Sequence, residues 1–301
     1  LTIAGRRGCS RRPGDTGQVG DIEVSTLACE AMSTHLTNPA EGGLPLTGER
    51  TVPGLAEENY WFRRHEVAYQ YCAPMCAGQD VLEAGCGEGY GAALLAETAR
   101  RVVAVDYDAA TVAHVRSRYP SVEVTEGNLA ALPLPDAAVD VVVNFQVIEH
   151  LWDQPQFITE CLRVLRPGGL LLMSTPNRIT FTPGSDTPVN PFHTRELNAA
   201  ELAELLTDGG FELRTMSGVF HGPALAALDV RHGGSIIEAQ IARALADAPW
   251  PADLLADVAA VRCADFDIVD AGPLPGSLRS CPQAERDIDD SLDLLAIAVR
   301  P

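Results

Sequence analysis

A short apolar segment that runs directly into a glycine-dense turn is the strongest constraint in this sequence. Residues 80–84 form the strand-like run, and glycines follow at every second position from Gly85 to Gly91. The Ala- and Leu-rich residues 92–96 then predict a helix. Glycines let the backbone approach a ligand closely, and the helix start offers free N–H groups and the positive end of its dipole. The pattern predicts a nucleotide-type site at the carboxyl end of a parallel sheet.

The rest of the chain alternates strand-like and helix-like segments. Short, fully apolar runs are typical of buried parallel strands when helical segments separate them. The further strand-like runs are 102–105, 122–124, 139–143, 170–174, 211–216 and 292–299. The order predicts an α/β fold with a Rossmann-like, seven-stranded, mostly parallel sheet, a final antiparallel strand and a mainly helical insertion. The helix before the first strand is expected to end near Pro74, because proline is unfavourable inside helices.

Composition changes along the chain predict four parts. Residues 1–40 are rich in Gly, Ser, Thr, Arg and Pro and lack apolar periodicity, which is typical of a disordered tail. Residues 41–217 are expected to form the ligand-binding core. Residues 218–288 interrupt the strand–helix alternation and predict a helical insertion that covers the site as a lid. Residues 289–301 then supply the last core strand.

Net charge restricts the classes of partner. The chain has 41 acidic and 22 basic residues and a net charge of −19, whereas nucleic-acid binding requires a basic face. We therefore expect no nucleic-acid partner. No apolar run reaches the length of a transmembrane helix, so membrane insertion is not expected. The first residues lack a hydrophobic signal-peptide core, which predicts a cytoplasmic protein. The sequence does not predict the oligomeric state.

The glycine spacing separates two classes of ligand. A nicotinamide-binding turn has glycines at its first, third and sixth positions, but Tyr90 stands sixth when the count starts at Gly85. The pattern is instead an acidic residue, Glu83, followed by alternating glycines at Gly85, Gly87 and Gly89. A carboxylate at this place suits a ligand with a cationic end, such as the α-ammonium group of a methionine. An NAD-dependent oxidoreductase stays the alternative from another class.

The acidic-x-Gly-x-Gly-x-Gly pattern resembles motif I of the class I S-adenosylmethionine (SAM)-dependent methyltransferases. The resemblance covers roughly residues 50–216 and 291–301, and it implies SAM as the cofactor. Asp106 matches the family's acid that holds the ribose hydroxyls. Asn144 and Gln146 match the segment that borders the methionine part. An alternative within this resemblance is a SAM-binding protein without turnover, acting as a sensor or scaffold.

An aromatic and arginine-rich segment, 58–64, precedes the first strand and also resembles an element of this class. In one interpretation Tyr60 and Trp61 shield the ligand while Arg63 or Arg64 pairs with a carboxylate. In the other, the aromatic face of a helix only covers the sheet edge. The cofactor contacts that the resemblance implies are Tyr60, Trp61, Arg63, Glu83, Gly85, Cys86, Gly87, Gly89, Asp106, Tyr107, Asn128, Leu129, Asn144 and Gln146.

Segments 144–153 and 190–196 resemble, more narrowly, actinobacterial methyltransferases associated with methylglucose lipopolysaccharide synthesis. That resemblance implies O-methylation of a glucose hydroxyl on a cytoplasmic oligosaccharide. The alternative acceptor within the class is a quinone, a phenol or another small metabolite.

The acceptor chemistry requires further residues, because a sugar hydroxyl is a poor nucleophile near neutral pH. The site therefore needs a general base or a metal ion. His150 follows the fourth strand by one turn, His193 lies after the fifth strand, and Glu149 adjoins His150. These are the predicted catalytic residues; the alternative is that both histidines are structural. Glu149, His150 and Asp153 also form a candidate Mg²⁺ site, since hard cations prefer oxygen ligands. In the competing interpretation Glu149 and Asp153 only lie, four positions apart, on a solvated face.

Overall fold

The computed structural model describes residue 44 and residues 50–246, 249–271 and 286–301. The predicted tail at 1–40 lies outside the described residues. In chain order the helices and strands are α1 (Asn59–Cys76), β1 (Asp80–Ala84), α2 (Tyr90–Ala96), β2 (Arg101–Asp106), α3 (Ala109–Arg118), β3 (Glu123–Glu126), β4 (Val139–Phe145), α4 (Gln154–Val164), β5 (Leu165–Pro176), α5 (Arg178–Phe181), α6 (Ala199–Asp208), β6 (Glu212–His221), α7 (Pro223–Arg231), α8 (Ile236–Leu245), α9 (Ala252–Ala260), β7 (Phe266–Asp270) and β8 (Asp293–Val299).

One sheet organises the described residues, with the strand order β3-β2-β1-β4-β5-β8-β6-β7. Strands β1 to β5 pair in parallel, and β8 inserts antiparallel between β5 and β6. The predicted α/β, Rossmann-like class with an antiparallel last strand is confirmed. The sheet has eight described strands rather than the predicted seven, because β7 pairs antiparallel with β6. The described residues between β6 and β8 are therefore mainly helical, with one added edge strand.

Helix α1 continues through Pro74 to Cys76, beyond the predicted end. Cys72 and Cys76 lie one turn apart and are fully buried against the sheet. The residue whose carbonyl loses its helical partner to the proline is Gln70, which is exposed to solvent. Burial of the helix face therefore outweighs the lost backbone hydrogen bond, which solvent can replace.

The core lies on both faces of the sheet because alternate strand residues point to opposite sides. In β1, Leu82 packs in a cluster with helices α4 and α6, whereas Val81 packs in a cluster beneath α1 to α3. A third cluster joins Tyr60 and Val67 of α1 to the segment between β6 and β8. The two covered faces leave the carboxyl ends of the parallel strands as the place for a site. None of the described helices is long and apolar enough to cross a membrane.

Candidate cofactor and acceptor site

The glycine turn connects β1 to α2 and lies directly against the neighbouring strand ends. Gly85 has a φ of +86°, which favours glycine. Its N–H donates to the Val105 carbonyl at 2.8 Å. A side chain at Gly85 would approach Cγ1 of Val147 to 2.7 Å. The turn is therefore held between β2 and the segment after β4, as the predicted ligand loop requires.

Asp106 ends β2 and presents its carboxylate to the glycine turn. The Gly87 N–H donates to Oδ2 at 3.0 Å, and the Asp108 N–H donates to Oδ1 at 3.1 Å. The side chain is only 8% exposed, so these bonds fix its orientation. Each carboxylate oxygen can still accept another hydrogen bond. This is the arrangement that two neighbouring ribose hydroxyls need.

Glu83 is a buried carboxyl group that is only partly satisfied. The Tyr69 hydroxyl donates to Oε1 at 2.6 Å, whereas Oε2 finds no hydrogen-bond partner among the residues that the structure describes. Burial raises the pKa of Glu83 to about 8, and the hydrogen bonds from the Tyr69 hydroxyl and the Ala92 backbone N–H only partly offset this effect. A buried acceptor without a partner indicates a missing donor. The ammonium end of a methionine fits this requirement.

The end of β4 holds two side chains of the predicted cofactor set. Asn144 is fully buried, and its Nδ2 donates to the Ala84 carbonyl at 2.8 Å. Its Oδ1 has no partner within the described ranges. Gln146 has a φ of +56° and is tied to Ser174 by its backbone N–H at 2.8 Å and its Nε2 at 2.9 Å. Both residues therefore join β4 to its neighbours at the mouth of the site.

The ends of β2 and β3 carry the predicted adenine side. Tyr107 is 75% exposed beside Asp106, and the Gly127 N–H donates to the Asp106 carbonyl at 2.9 Å. Asn128 is exposed, with its Oδ1 accepting from the Ala130 N–H at 2.9 Å. The predicted residues Leu129 and Cys86 are buried among core residues. Their contacts with a cofactor stay predictions.

The aromatic segment at the start of α1 makes the contacts of a packed helix. Tyr60 is fully buried, and its hydroxyl lies 2.6 Å from Nε2 of His221. Trp61 packs edge-on against Tyr60 with 5.2 Å between ring centroids. The guanidinium of Arg63 pairs with Glu66, and that of Arg64 pairs with Asp293 at 2.7 Å. These contacts favour the sheet-covering interpretation, and the cofactor role of Tyr60, Trp61 and Arg63 stays a prediction.

The three predicted catalytic residues come together beyond the ends of β4 and β5. Glu149, His150 and His193 each offer a ligand-type atom, and these atoms lie within 4.8 Å of one another. The imidazole rings of His150 and His193 meet edge to face with centroids 4.8 Å apart. Residues on two distant segments of the chain are therefore brought into one cluster.

The orientation of His150 is set by the loop that carries His193. Its Nδ1 lies 3.0 Å from the Phe192 carbonyl oxygen. A carbonyl can only accept, so Nδ1 carries the proton. In the neutral ring Nε2 then holds the lone pair, as a general base requires.

His193 is held at both ring nitrogens. Its Nδ1 is 2.6 Å from Oε1 of Glu196, and its Nε2 is 3.0 Å from Nδ2 of Asn190. Oδ1 of Asn190 accepts from the Phe192 N–H at 3.0 Å, which turns Nδ2 toward the imidazole. These bonds suit a neutral ring that donates from Nδ1 and accepts at Nε2. His193 is therefore placed to support His150 rather than to take a proton itself.

Glu149 is buried beneath the two histidines. It is 1% exposed, and its Oε2 accepts from the Thr175 hydroxyl at 2.9 Å. Burial raises its pKa to about 7. Its backbone carbonyl accepts the Thr194 N–H at 2.7 Å, which fastens the turn to the loop.

Comparison with known proteins shows the family to which the chain belongs. A model of the methyltransferase domain matches residues 82–173. A probable SAM-dependent methyltransferase of Mycolicibacterium smegmatis is 72% identical over 264 residues, covering 88% of this chain and 98% of the relative. The chain belongs to the SAM-dependent methyltransferases.

A relative from Mycobacterium tuberculosis, also a probable SAM-dependent methyltransferase, is 68% identical over 258 residues that cover 86% of this chain and 90% of the relative. A SAM-dependent methyltransferase structure from Thermotoga maritima shares the fold at 16% identity, with a TM-score of 0.52 over 80% of this chain and 93% of that chain. Family membership decides against the NAD-dependent alternative. The cofactor of this methyltransferase is SAM, and the unsatisfied oxygen of Glu83 fits its ammonium group.

The candidate Mg²⁺ ligands do not form one oxygen-rich site in this methyltransferase. Oδ1 of Asp153 accepts from the Gln156 N–H at 3.1 Å and so caps α4. The cluster instead contains two imidazoles and one carboxylate, a set that suits transition metals better than Mg²⁺. Nε2 of His193 also already accepts from Asn190. Use of Mg²⁺ by the methyltransferase stays a prediction, and these donors give it little support.

Two residues near the acceptor side were absent from the predicted site. His65 of α1 has a pKa lowered to about 4, mainly by burial and partly by the charges of Arg64 and His150. His65 lies 85 positions before His150, so their electrostatic interaction is a tertiary property that no local pattern reveals. Trp152 follows His150 by two residues and is 92% exposed. Its exposure is a tertiary property, because an isolated tryptophan in a sequence is more typical of a packed residue.

Proposed function

We propose that this methyltransferase transfers the methyl group of SAM to a sugar hydroxyl, a glucose hydroxyl of a gluco-oligosaccharide that becomes polymethylated. The observation that carries the proposal is the orientation of His150. Its Nδ1–H is fixed on the Phe192 carbonyl at 3.0 Å, which leaves Nε2 as the basic atom. An alcohol needs such a base more than a phenol does, since the phenol ionises more readily.

The residues of the chain divide the task between alignment and proton transfer. Bound SAM supplies an electrophilic methyl group on its sulfonium, so the protein has to position the acceptor oxygen in line and remove its proton. His150 accepts the hydroxyl proton at Nε2. His193 and the buried Glu149 hold the turn around His150 and supply polar partners for the resulting imidazolium.

We also propose that residues 218–288 cover the acceptor side. Support comes from the described part of this segment, which packs on α1 through a buried polar chain. His221 lies between Tyr60 at 2.6 Å and Asp229 at 2.7 Å. Nδ2 of Asn59 donates to the carbonyls of Val258 and Val261 at 3.0 and 2.8 Å. These contacts anchor the segment beside the first helix of the core.

The test is tritiated-methyl transfer to gluco-oligosaccharides and to a panel of phenols and quinols, with and without Mg²⁺. We expect sugars to be labelled. We expect His150→Gln to lower kcat by roughly 10²- to 10⁴-fold, the range for loss of a general base. The affinity for S-adenosylhomocysteine, measured by calorimetry, should be unchanged. Arg116→Gln is the control, because Arg116 is exposed on α3, outside both the cluster and the segment 218–288.

Three results would contradict the proposal in different ways. If phenols are labelled and sugars are not, the acceptor is a small metabolite and the proposed sugar acceptor is wrong. S-adenosylhomocysteine binding without methyl transfer to any acceptor would favour a protein that binds SAM without turnover. Unchanged kcat in His150→Gln would remove His150 as the base while leaving the acceptor class standing.

A further inference from the structure

The most exposed large hydrophobic residue in the described part of the chain lies next to the proposed base. Trp152 is 92% exposed, and it follows His150 by two positions. Large aromatic side chains are seldom left in water without a reason, because they contribute strongly to cores and to binding surfaces. An exposed tryptophan at this place therefore indicates a ligand contact.

The backbone around Trp152 is fixed on both sides. The Thr194 hydroxyl donates to the Leu151 carbonyl at 2.7 Å. Nε2 of the buried Gln154 donates to the carbonyls of Ile148 and Arg195, at 2.9 Å each. Asp153 caps α4 immediately afterwards. Trp152 is thus exposed on a turn whose backbone is fixed by hydrogen bonds. Binding a ligand to the indole therefore costs little backbone conformational entropy.

The same hydrogen bonds bring Arg195 beside this turn. Arg195 is exposed, and across the described ranges its guanidinium makes no hydrogen bond or ion pair with the protein. Most of the other arginines in the described ranges are paired with a carboxylate, as Arg63, Arg64 and Arg178 illustrate. Arg195 therefore supplies a fork of N–H donors on the loop whose backbone is bonded to the turn that carries Trp152.

We propose that Trp152 and Arg195 form an acceptor platform, which binds a sugar ring of the oligosaccharide adjacent to the ring that is methylated. The C–H face of a pyranose is apolar and packs on an indole, while its hydroxyl and ring oxygens accept hydrogen bonds from a guanidinium. The inference deepens the proposed function and rests on it. It predicts that the enzyme distinguishes oligosaccharides from single sugars through this pair.

The experiment compares steady-state methyl transfer to glucose and to linear gluco-oligosaccharides for wild type, Trp152→Ala and Arg195→Gln. We expect the oligosaccharide KM to rise by roughly 10- to 100-fold in Trp152→Ala, the range for loss of an aromatic anchor, with a smaller rise in Arg195→Gln. The KM values for glucose and SAM should stay at wild-type levels. Arg116→Gln, an exposed arginine on α3, is the control. Tyr107→Ala, at the cofactor side, should change the SAM KM and leave the oligosaccharide KM alone.

The outcomes separate the platform from the proposed function. If wild type methylates oligosaccharides and Trp152→Ala keeps the wild-type oligosaccharide KM, the platform is wrong and the proposed function stands. If wild type methylates no sugar, both are overturned. Binding of oligosaccharide to the S-adenosylhomocysteine complex, followed by tryptophan fluorescence, gives a second readout without turnover. Trp152 should account for the change in emission, and a change that persists in Trp152→Ala would contradict the platform.

Discussion

Glu83 shows how a single residue links the fold to cofactor binding. Its carboxyl group lies on the central strand, with one oxygen bonded to Tyr69 and the other unsatisfied in the described structure. Burying a carboxylate without a partner is costly, so the protonated form is favoured in the ligand-free protein. Glu83 can therefore bind a cationic ligand as a carboxylate, and it is neutral when no ligand is bound.

We expect SAM binding near pH 7 to release a proton. The pKa of Glu83 is raised to about 8, so the free protein holds the proton at pH 7, and an ammonium group beside the carboxylate lowers that pKa again. Calorimetry in buffers with different ionisation enthalpies measures the release. Glu83→Gln should abolish it and weaken binding, and proton release that persists in this variant would contradict the role of Glu83.

Asp106→Ala should weaken S-adenosylhomocysteine binding by roughly 10- to 100-fold, as expected for lost hydrogen bonds to a charged group. The bonds from Gly87 and Asp108 hold the carboxylate in place. Asp106→Asn is the conservative comparison and should lose less affinity, because one oxygen is kept. Calorimetry provides the measurement. Equal affinities for wild type and Asp106→Ala would contradict ribose binding by this residue.

At the scale of elements, the acceptor side depends on the loop 190–196 holding the turn at Ile148–His150. Thr194 is the main connection. Its N–H donates to the Glu149 carbonyl at 2.7 Å, and its single hydroxyl proton is shared between the carbonyls of Leu151 at 2.7 Å and Glu149 at 3.1 Å. The loop also supplies the carbonyl that orients His150. Displacing the loop by a fraction of an ångström should therefore act on catalysis.

Thr194→Val keeps the shape of the side chain and removes the hydroxyl proton that two carbonyl oxygens share. We expect kcat to fall by roughly 10-fold or more because His150 is less well positioned, while S-adenosylhomocysteine affinity stays unchanged. Thr207→Val, on the exposed face of α6, is the control, since Thr207 bonds only carbonyls of its own helix. A Thr194→Val variant with wild-type kcat would show that the loop does not orient the base.

The elements also explain which features were predictable from sequence. The positions of Asp106 and Glu83 near the glycine turn could be predicted, because parallel strands bring their carboxyl ends to one edge of the sheet. Their roles toward the cofactor are what the resemblance implies, and they stay predictions. Strand β7 was missed because its pairing with β6 is decided by tertiary contact within a mostly helical segment. The ion pair of Arg64 and Asp293 joins residues 229 positions apart. No local pattern indicated that Arg64, rather than Arg63, makes the buried contact.

For the whole molecule, the buried carboxyl groups and the net negative charge both lower the free energy of unfolding as pH rises. Burial raises the pKa values of Glu58 and Glu149 to about 7 and that of Glu83 to about 8, from a usual value of 4.5. At these three carboxyl groups the folded chain binds more protons than the unfolded chain between pH 4.5 and these values, so they lower the free energy of unfolding as pH rises. His65, whose pKa is lowered to about 4, opposes them up to its ordinary value of 6.5, but the three carboxyl groups outnumber it. Repulsion within a chain of net charge −19 adds to this trend.

We expect the ligand-free enzyme to be most stable near pH 5 and to lose roughly 5–10 °C in Tm between pH 5 and pH 8, given about 2 °C per kcal/mol for a chain of this size. Thermal unfolding at constant ionic strength measures this. Glu149→Gln and Glu83→Gln should each reduce the loss, because the neutral amide imitates the protonated acid at every pH. Glu204→Gln, an exposed position on α6, should leave the slope unchanged. A Tm that stays level or rises from pH 5 to pH 8 would contradict the raised pKa values, and S-adenosylhomocysteine should flatten the slope by giving Glu83 its cationic partner.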